Sequence, residues 1–386
     1  MNFDEIIDRR SSESLKWHIY EEDVLPLWVA DMDFRCADEV VNALHERVDH
    51  GIFGYGLPPK DLAKIIVDRL QRLYNWNISE QHVSYVPGCV TGFNLALRAF
   101  CQPGDAVIIQ TPVYPPFLSA PADAGLRRVD NQLIKHPDGY YEIDFDLFEK
   151  QIIENKVKLF ILCNPHNPVG RVFRRAELQR LAEICLKHDV IICSDDIHCD
   201  LIYSGYHHIP VASLSPEIAA RTITLMAPSK TYNIAGLHAS VVIIENPQLY
   251  QQYCAARHGL VSNPGVLGLT AARAAYLHAD PWLQEVMDYL EHTRDWLFEV
   301  VKTQFPGIRM AKPEGTFLAW LDCTDLHLQP SPQQFFIEKA RVGLNDGKDF
   351  GTQEKEFVRF NFASPHTVLV EAVDRMRSAL IKEGYL

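Results

Sequence analysis

The sequence predicts an α/β fold, in which a three-layer α-β-α large domain with a mostly parallel sheet is followed by a smaller α+β domain at the carboxyl end. Two observations support this prediction. Continuous apolar runs such as KLFILC and VIIC alternate with amphipathic segments, a pattern typical of strands that helices cover on both faces. Polar motifs follow these runs directly, and open α/β sheets bind their ligands at the carboxyl ends of the strands.

The first part of the chain predicts an arm and two helices. Residues 1–34 show little periodicity and end in LPLWVADMDF, an apolar stretch that contains acids. A helix is predicted over residues 37–50, with acids in its first turn and Gly51 past its end. After the glycine- and proline-rich turn GIFGYGLPPK, apolar residues at helical spacing predict an amphipathic helix over residues 60–75.

The middle of the chain alternates between the two kinds of element. Helices are predicted in CVTGFNLALRAFC and AELQRLAEICLKHD. Strands are predicted in the apolar runs AVIIQ, KVKLFILC, VIICSDD, TITLM and ASVVIIEN. The segment TPVYPPF is predicted as a proline-rich loop, and the segment that carries Lys230 as a loop after the TITLM strand.

The pattern changes after residue 280. One long helix is predicted over residues 281–304, because Pro281 is tolerated in a first turn. Strands in IRMAKPEGTFLAWLD and EFVRFNFAS and a final helix complete a smaller unit. The predicted organisation is an N-terminal arm with part of the small domain, a large ligand-binding domain and a small C-terminal domain, over residues 1–45, 46–280 and 281–386.

Composition narrows the possible functions. The net charge of -13 argues against a nucleic-acid-binding surface. The nine cysteines form no CxxC pair or Cys/His quartet, so we expect no metal site and free thiols in a reducing cytoplasm. The N-terminus lacks a signal-peptide core, and no apolar run approaches the ~20 residues of a membrane span.

The segment APSKTYNIAGL places Lys230 just after an apolar run, with no carboxylate beside it in the sequence. Burial would lower the pKa of this lysine and make its amine available for Schiff-base chemistry. A lysine that simply reaches solvent from a strand end is the alternative. The other motifs decide between the two.

The order and spacing of five motifs resemble the fold-type I pyridoxal-phosphate enzymes of the aspartate aminotransferase superfamily. The motifs LPLWVADMDF, HGIFGYG, CNPHNPVGR, SDDIHCDL and PSKTYNIAGL are similar to those of its MalY/PatB branch of cystathionine β-lyases. The resemblance covers nearly the whole chain. It implies pyridoxal 5'-phosphate as the cofactor and a homodimer with shared active sites.

The resemblance implies a role for each residue around the cofactor ring. Lys230 would bind the cofactor covalently and then remove the Cα proton of the substrate. Asp195 would pair with the pyridine nitrogen; Asp196 is the competing candidate, and strand alternation should point the two in opposite directions. Three further residues would surround the ring: Asn167 and His198 at the phenolic oxygen, where the role of the histidine is open, and Tyr114 stacked on the ring.

The phosphate and the substrate have their own predicted contacts. Gly88, Cys89 and Val90 precede or begin a helix whose N–H groups could hold the phosphate, with Ser229 and with Tyr55 of the neighbouring subunit. The chain departs from the family pattern at Ala227, where the family has a serine, and at His238, where many aminotransferases have an arginine. Either the phosphate has fewer charged partners here, or another group substitutes.

Arg359 matches the arginine that binds the substrate α-carboxylate, for which a planar guanidinium is suited. Trp28, Asp31 and Asp33 suggest an acidic, aromatic entrance for a thioether whose far end carries an amino group. The alternative is that these acids only face solvent.

The predicted function is therefore a carbon–sulfur β-lyase that acts on an amino-acid thioether such as L-cystathionine, on L-cysteine or on related S-conjugates. Two alternatives stay open at this point. One is an aminotransferase of a neutral or aromatic amino acid, since the same lysine and aspartate serve both reactions. The other is a cofactor-binding regulatory protein.

Overall fold

The computed structural model describes all residues, 1–386, and its largest element is a seven-stranded sheet. The strand order is β1-β7-β6-β5-β4-β2-β3, and only β7 runs antiparallel to the others. The predicted, mostly parallel sheet is confirmed. In chain order the strands are β1 (Val83–Val86), β2 (Ala106–Thr111), β3 (Arg127–Gln132), β4 (Val157–Cys163), β5 (Ile191–Asp195), β6 (Thr222–Met226) and β7 (Ser240–Ile243).

Ten helices contain nine or more residues, and none of them is long and apolar enough to cross a membrane. They are α1 (Asp38–Asp49), α2 (Leu62–Tyr74), α3 (Cys89–Phe100), α4 (Pro115–Asp123), α5 (Phe145–Asn155), α6 (Arg175–Lys187), α7 (Pro247–Arg257), α8 (Val266–His278), α9 (Asp280–Gln304) and α10 (His366–Lys382).

Helices cover both faces of the large sheet, because successive side chains of a strand point to opposite faces. In β4, Leu159 belongs to the apolar cluster that contains Phe93 of α3. Its neighbour Phe160 belongs to a second cluster, which contains Leu181 of α6. All four side chains are fully buried, so the sheet is the middle of three layers.

A second, antiparallel sheet lies in the carboxyl-terminal part of the chain, where its order is β8-β9-β11-β10. Leu297 of α9 and Val373 of α10 share an apolar cluster with Phe360, which lies in its last strand. The boundaries predicted near residues 45 and 280 stay predictions. The strands are β8 (Arg309–Met310), β9 (Leu318–Asp322), β10 (Asn345–Asp346) and β11 (Phe357–Asn361).

Two segments differ from the elements that the sequence predicted. TPVYPPF is not a loop throughout, because α4 begins at Pro115, whose missing N–H and fixed φ suit a first helical turn. Lys230 lies in a short helix, Pro228–Thr231, rather than in a loop. The strand β3 and the helices α7 and α8 were not predicted from the sequence.

Asp33 ties the N-terminal arm together and fastens it to the carboxyl-terminal part of the chain. Its carboxylate accepts hydrogen bonds from Arg9 Nη1 and Lys16 Nζ, both at 2.7 Å, and from Trp17 Nε1 at 3.0 Å. Ser364 donates a further one. Burial would raise the pKa of Asp33, but the charge of Lys16 and these hydrogen bonds outweigh it and lower the pKa below its ordinary value.

Replacing Asp33 with Asn should destabilise the protein, because it leaves the amine of Lys16, which is 0% exposed, without its closest counter-ion. Removing one partner of a buried ion pair costs about 3 kcal/mol or more, so the thermal midpoint should fall by several degrees. Asp38→Asn, which breaks an exposed pair with Arg35, is the matched control and should change little.

The effect of Asp33→Asn should also depend on pH. Because the folded pKa of Asp33 is lowered, its contribution to stability is complete above about pH 4, the unfolded pKa, and is lost as the pH falls through the folded value. The wild type and the variant should therefore converge in acid. An equal difference in thermal midpoint at pH 7 and at an acidic pH well below about 4, measured where both proteins are still folded, would contradict this.

Candidate functional site

A cavity of about 380 Å³ opens at the carboxyl edge of the large sheet. It lies where the segments after five parallel strands meet, so residues far apart in the sequence converge on it. Nine of the residues predicted for the site line this cavity: Lys230, Asp195, Asn167, Tyr114, Gly88, Cys89, Val90, Ser229 and His198.

Lys230 carries the only ammonium group in the lining of the cavity. Its Nζ donates a hydrogen bond to the carbonyl oxygen of Ala30 at 2.6 Å, which aims the amine from the short helix toward the N-terminal arm. Burial lowers the pKa of Lys230 to about 8, even though the nearby charge of Asp31 acts in the opposite direction. The lowered pKa therefore increases the fraction of the amine that is neutral near physiological pH, which is the form that a nucleophile or a base requires.

Asp195 and Asp196 point to opposite sides of the end of β5, as strand alternation predicts. Asp195 faces the cavity, where burial raises its pKa to about 7 against the opposing hydrogen bond from the Ile197 N–H. Asp196 is fully buried behind it and accepts hydrogen bonds from Ser194 and His208. Of the two carboxyl groups, that of Asp195 is placed to meet a ligand in the cavity.

Arg359 lies at the border of the cavity and has no carboxylate partner. Its guanidinium donates to Asn167 Oδ1 at 3.0 Å, to the Trp28 carbonyl at 3.0 Å and to Asn345 Oδ1 at 2.6 Å. The ring of Phe350 lies 4.9 Å from its Cζ. Burial lowers the pKa of Arg359 to about 10, so the group stays charged at neutral pH, and its buried Nε has no hydrogen-bond partner.

The amino end of α3 provides a cradle for an anion. Gly88 has φ 114°, a conformation that glycine tolerates, and it turns the chain so that α3 begins at Cys89 beside the cavity. The first N–H groups of a helix have no partner within it and carry partial positive charge. Ser229 and the exposed His238 line the same cavity.

Two ring-bearing side chains complete the predicted set. Tyr114 is half-buried at the end of the segment that follows β2. His198 is buried, and burial together with the charges of Lys230 and Arg359 lowers its pKa to about 3. Its imidazole is therefore neutral, and its Nδ1 has no hydrogen-bond partner.

The structure does not bring four of the predicted residues into the lining of the cavity: Arg359, which lies at its border, and Tyr55, Trp28 and Asp31. Tyr55 is fully exposed on the segment between α1 and α2. Trp28 contributes its carbonyl to Arg359, while its indole donates to the Lys16 carbonyl. Asp31 is paired with Arg9 at 2.7 Å, so its role toward a substrate stays a prediction.

The predicted acidic entrance does not include Asp33. This residue is 4% exposed and its carboxylate is already paired with Arg9 and Lys16, so it neither faces solvent nor offers free charge to a substrate. Asp33 was predicted to lie at the entrance because it is close to Trp28 in the sequence. Its ion pairs, however, form with Arg9 and Lys16, which belong to an earlier segment of the chain.

Sequence reasoning also missed contributors to the site. Ala30 acts through its backbone carbonyl, and Asn345 through a contact made across the small sheet. No residue pattern marks either of them. Thr91 and Ser240 also line the cavity, and a small polar residue such as Ser240 within an apolar strand was a detectable signal.

The arrangement can do three things chemically. It can hold the anionic group of a flat molecule at α3 and that molecule's polar ring atoms at Asp195 and Asn167. It can bind a carboxylate at Arg359 through parallel hydrogen bonds. It can move a proton at Lys230, whose pKa suits a base.

Comparison with known proteins agrees with this geometry. The family described as aminotransferase class I and II matches residues 22–376. Cystathionine beta-lyase PatB of Bacillus subtilis (strain 168) is 39% identical over 388 residues, which cover 98% of this chain and 100% of PatB.

Solved structures superimpose over nearly the whole chain. OvoB, at 44% identity, has a TM-score of 0.94 and covers 98% of this chain and 99% of its own. The pyridoxal-phosphate-bound C-S lyase of Staphylococcus hominis, at 34% identity, also has a TM-score of 0.94 and covers 99% of this chain and 98% of its own.

Proposed function

The chain belongs to the aminotransferase class I and II family, in the branch of MalY and PatB, and from that premise we propose that it is a pyridoxal-phosphate-dependent carbon–sulfur β-lyase. It cleaves L-cystathionine, L-cysteine or related cysteine S-conjugates to a thiol, pyruvate and ammonia. The observation that carries the proposal is one cavity lined by Lys230, with its lowered pKa, and by Asp195, with Arg359 bonded to the lining residue Asn167 at its border. The lyase names of the relatives support the choice of reaction.

The residues present fit pyridoxal phosphate. Two buried polar atoms beside the cavity, His198 Nδ1 and Arg359 Nε, have no partner within the chain, as expected where a ligand supplies one. The phosphate would lie at the amino end of α3 with the hydroxyl of Ser229. His238 replaces the arginine of many aminotransferases, so this phosphate relies more on the helix end.

Four side chains would hold the ring. Asp195 would accept a hydrogen bond from the protonated ring nitrogen, and Tyr114 would cover one face. Because Asn167 Oδ1 already accepts from Arg359, its amide nitrogen is left to donate to the phenolic oxygen. The neutral imidazole of His198 is available to the same oxygen. When bound, the cofactor withdraws electrons from the substrate Cα.

Lys230 and Arg359 would act on different groups of the substrate. Arg359 binds the α-carboxylate and so fixes which bond at Cα is aligned for cleavage. The amine of Lys230 removes the Cα proton, and the same group can return a proton to the departing thiolate. The Ala30 carbonyl, which accepts from Nζ at 2.6 Å, orients the amine.

The cavity offers no second cation for a substrate whose side chain ends in a lone carboxylate. Its lining contains no arginine and no lysine other than Lys230. Aspartate or glutamate would therefore place a side-chain carboxylate without a counter-ion in this protomer. A thioether whose far end has no net charge, such as the zwitterionic end of cystathionine, avoids that cost, which supports a lyase over an aminotransferase of acidic amino acids.

The active form is proposed to be a homodimer. The segment between α1 and α2 exposes four large apolar side chains by more than half: Ile52, Phe53, Tyr55 and Leu57. Such a patch is uncommon on a monomer. A second copy covering it would bring Tyr55 toward the phosphate of the neighbouring subunit.

Turnover without an acceptor tests the reaction. We expect the cofactor-loaded protein to release pyruvate from L-cystathionine with no 2-oxo acid present. Lys230→Ala should lower kcat by at least about a thousandfold, as loss of a base with proximity does, whereas Lys150→Ala, at an exposed position of α5, should match the wild type. Strict dependence of product formation on an acceptor would select an aminotransferase instead.

The role of Tyr55 is tested by cofactor affinity and mass. Sedimentation should give twice the chain mass of 44.0 kDa for both wild type and Tyr55→Phe. The variant should bind pyridoxal phosphate about tenfold more weakly, since a hydrogen bond to a charged group contributes about 1.5 kcal/mol or more. A monomeric wild type, or unchanged affinity in the variant, would contradict the shared site.

A further inference from the structure

A buried polar chain lies directly behind Asp195, on the side away from the cavity. Asp196 Oδ2 accepts from His208 Nε2 at 3.0 Å, and Asp196 Oδ1 accepts from Ser194 Oγ. His208 Nδ1 lies 3.5 Å from Asn164 Nδ2. The side chains of Asp196 and His208 are 0% and 1% exposed, so water does not satisfy them.

The contacts of Asn164 assign the tautomer of His208. Asn164 Oδ1 accepts from the Phe173 N–H at 3.0 Å, so its amide nitrogen is the atom that faces His208. An amide nitrogen can only donate. His208 Nδ1 must then accept, and the ring proton lies on Nε2, where it is donated to Asp196. The Ser194 hydroxyl and the His208 imidazole thus both donate to the Asp196 carboxylate.

The same chain is tied to the backbone that carries Asp195. The N–H of Asn164 donates to the Asp195 carbonyl at 3.2 Å, and the N–H of Asp196 donates to the Leu225 carbonyl at 2.8 Å in the neighbouring strand. Two carboxylates at consecutive positions are thus held apart, one in the cavity and one behind it. A nearby like charge favours protonation of its neighbour.

We propose that Asp196 and His208 are positioning residues that act through Asp195: the buried charge of Asp196, kept in place by His208, strengthens the hold of Asp195 on a proton at the cofactor's ring nitrogen. This inference rests on the proposed function, because it takes the ring nitrogen to lie at Asp195. Burial raises the pKa of Asp195 and the charge of Asp196 raises it further, which agrees with this proposal.

Other titratable groups near Asp195 do not supply a second anion at neutral pH. Burial raises the thiol pKa of every cysteine that faces it, so these groups stay neutral. Burial also raises the pKa of Tyr114. Lys230 is the one nearby cation, and it acts against protonation of Asp195. The cysteines in question are Cys89, Cys163 and Cys193.

The test is to load the enzyme with pyridoxal phosphate labelled with ¹⁵N in the ring and to follow the nitrogen chemical shift against pH. This shift reports the ring proton directly, whatever the turnover. Asp196→Asn keeps the shape of the side chain and removes its charge. We expect Asp196→Asn to lower the pH at which the ring nitrogen loses its proton by roughly one unit, the usual size of the effect of a nearby charge.

Variants of His208 keep the test valid if Asp196→Asn does not fold. His208→Leu removes the donor, so Asp196 should take up a proton and the midpoint should fall as in Asp196→Asn. His208→Gln retains an N–H donor and should stay near the wild type. The double variant with Asp196→Asn and His208→Leu should lower the midpoint little further than either single variant, because both substitutions act on the same charge, that of Asp196. His207→Leu, at the exposed neighbouring position, is the matched control.

The outcomes separate this inference from the proposed function. A wild type that binds no cofactor overturns both. A wild type that binds it, with Asp196→Asn or His208→Leu titrating as the wild type does, overturns the inference alone. A shift of the midpoint in His207→Leu as large as in His208→Leu also overturns it.

Discussion

The burial of an amine at the carboxyl edge of a parallel sheet is the constraint on which the site depends. Lys230 has no carboxylate within hydrogen-bond distance, so its ammonium form is penalised and its pKa falls to about 8. Only a backbone carbonyl, that of Ala30, receives its hydrogen bond. That carbonyl lies on the N-terminal arm, so the arm must be held in place for the amine to be oriented.

The charges around the arm explain how it is held. Asp31 and Asp33 pair with Arg9 and Lys16 from a segment that precedes them, and Asn361 of β11 donates to the carbonyls on either side of Ala30. Four charges are thus satisfied within the protein, while Asp195 in the neighbouring cavity and Arg359 at its border are not paired with each other or with any other charged group. The paired charges hold the arm in place, and the unpaired ones are free to interact with a ligand.

The sequence could predict the strands of the large sheet because the residue patterns that specify them are local. Apolar runs such as 159–162 specify strands buried on both faces, and alternation at the end of β5 places Asp195 and Asp196 on opposite sides. Contacts between distant segments left no local pattern. Arg359 donates to Asn345 because two strands of the small sheet lie side by side, and Lys16 reaches Asp33 because the arm folds back on itself. A helix begins at Pro115 where the sequence had predicted a proline-rich loop.

Of all the lysines of the chain, Lys230 is the one proposed to hold the cofactor. Borohydride reduction of the cofactor-loaded protein, followed by digestion and peptide mass measurement, tests this most directly. The mass of a reduced pyridoxyl phosphate group should appear on the peptide that contains Lys230 and on no other peptide. An unmodified Lys230 peptide from protein that has lost its visible absorbance, or a group attached to another lysine, would contradict it.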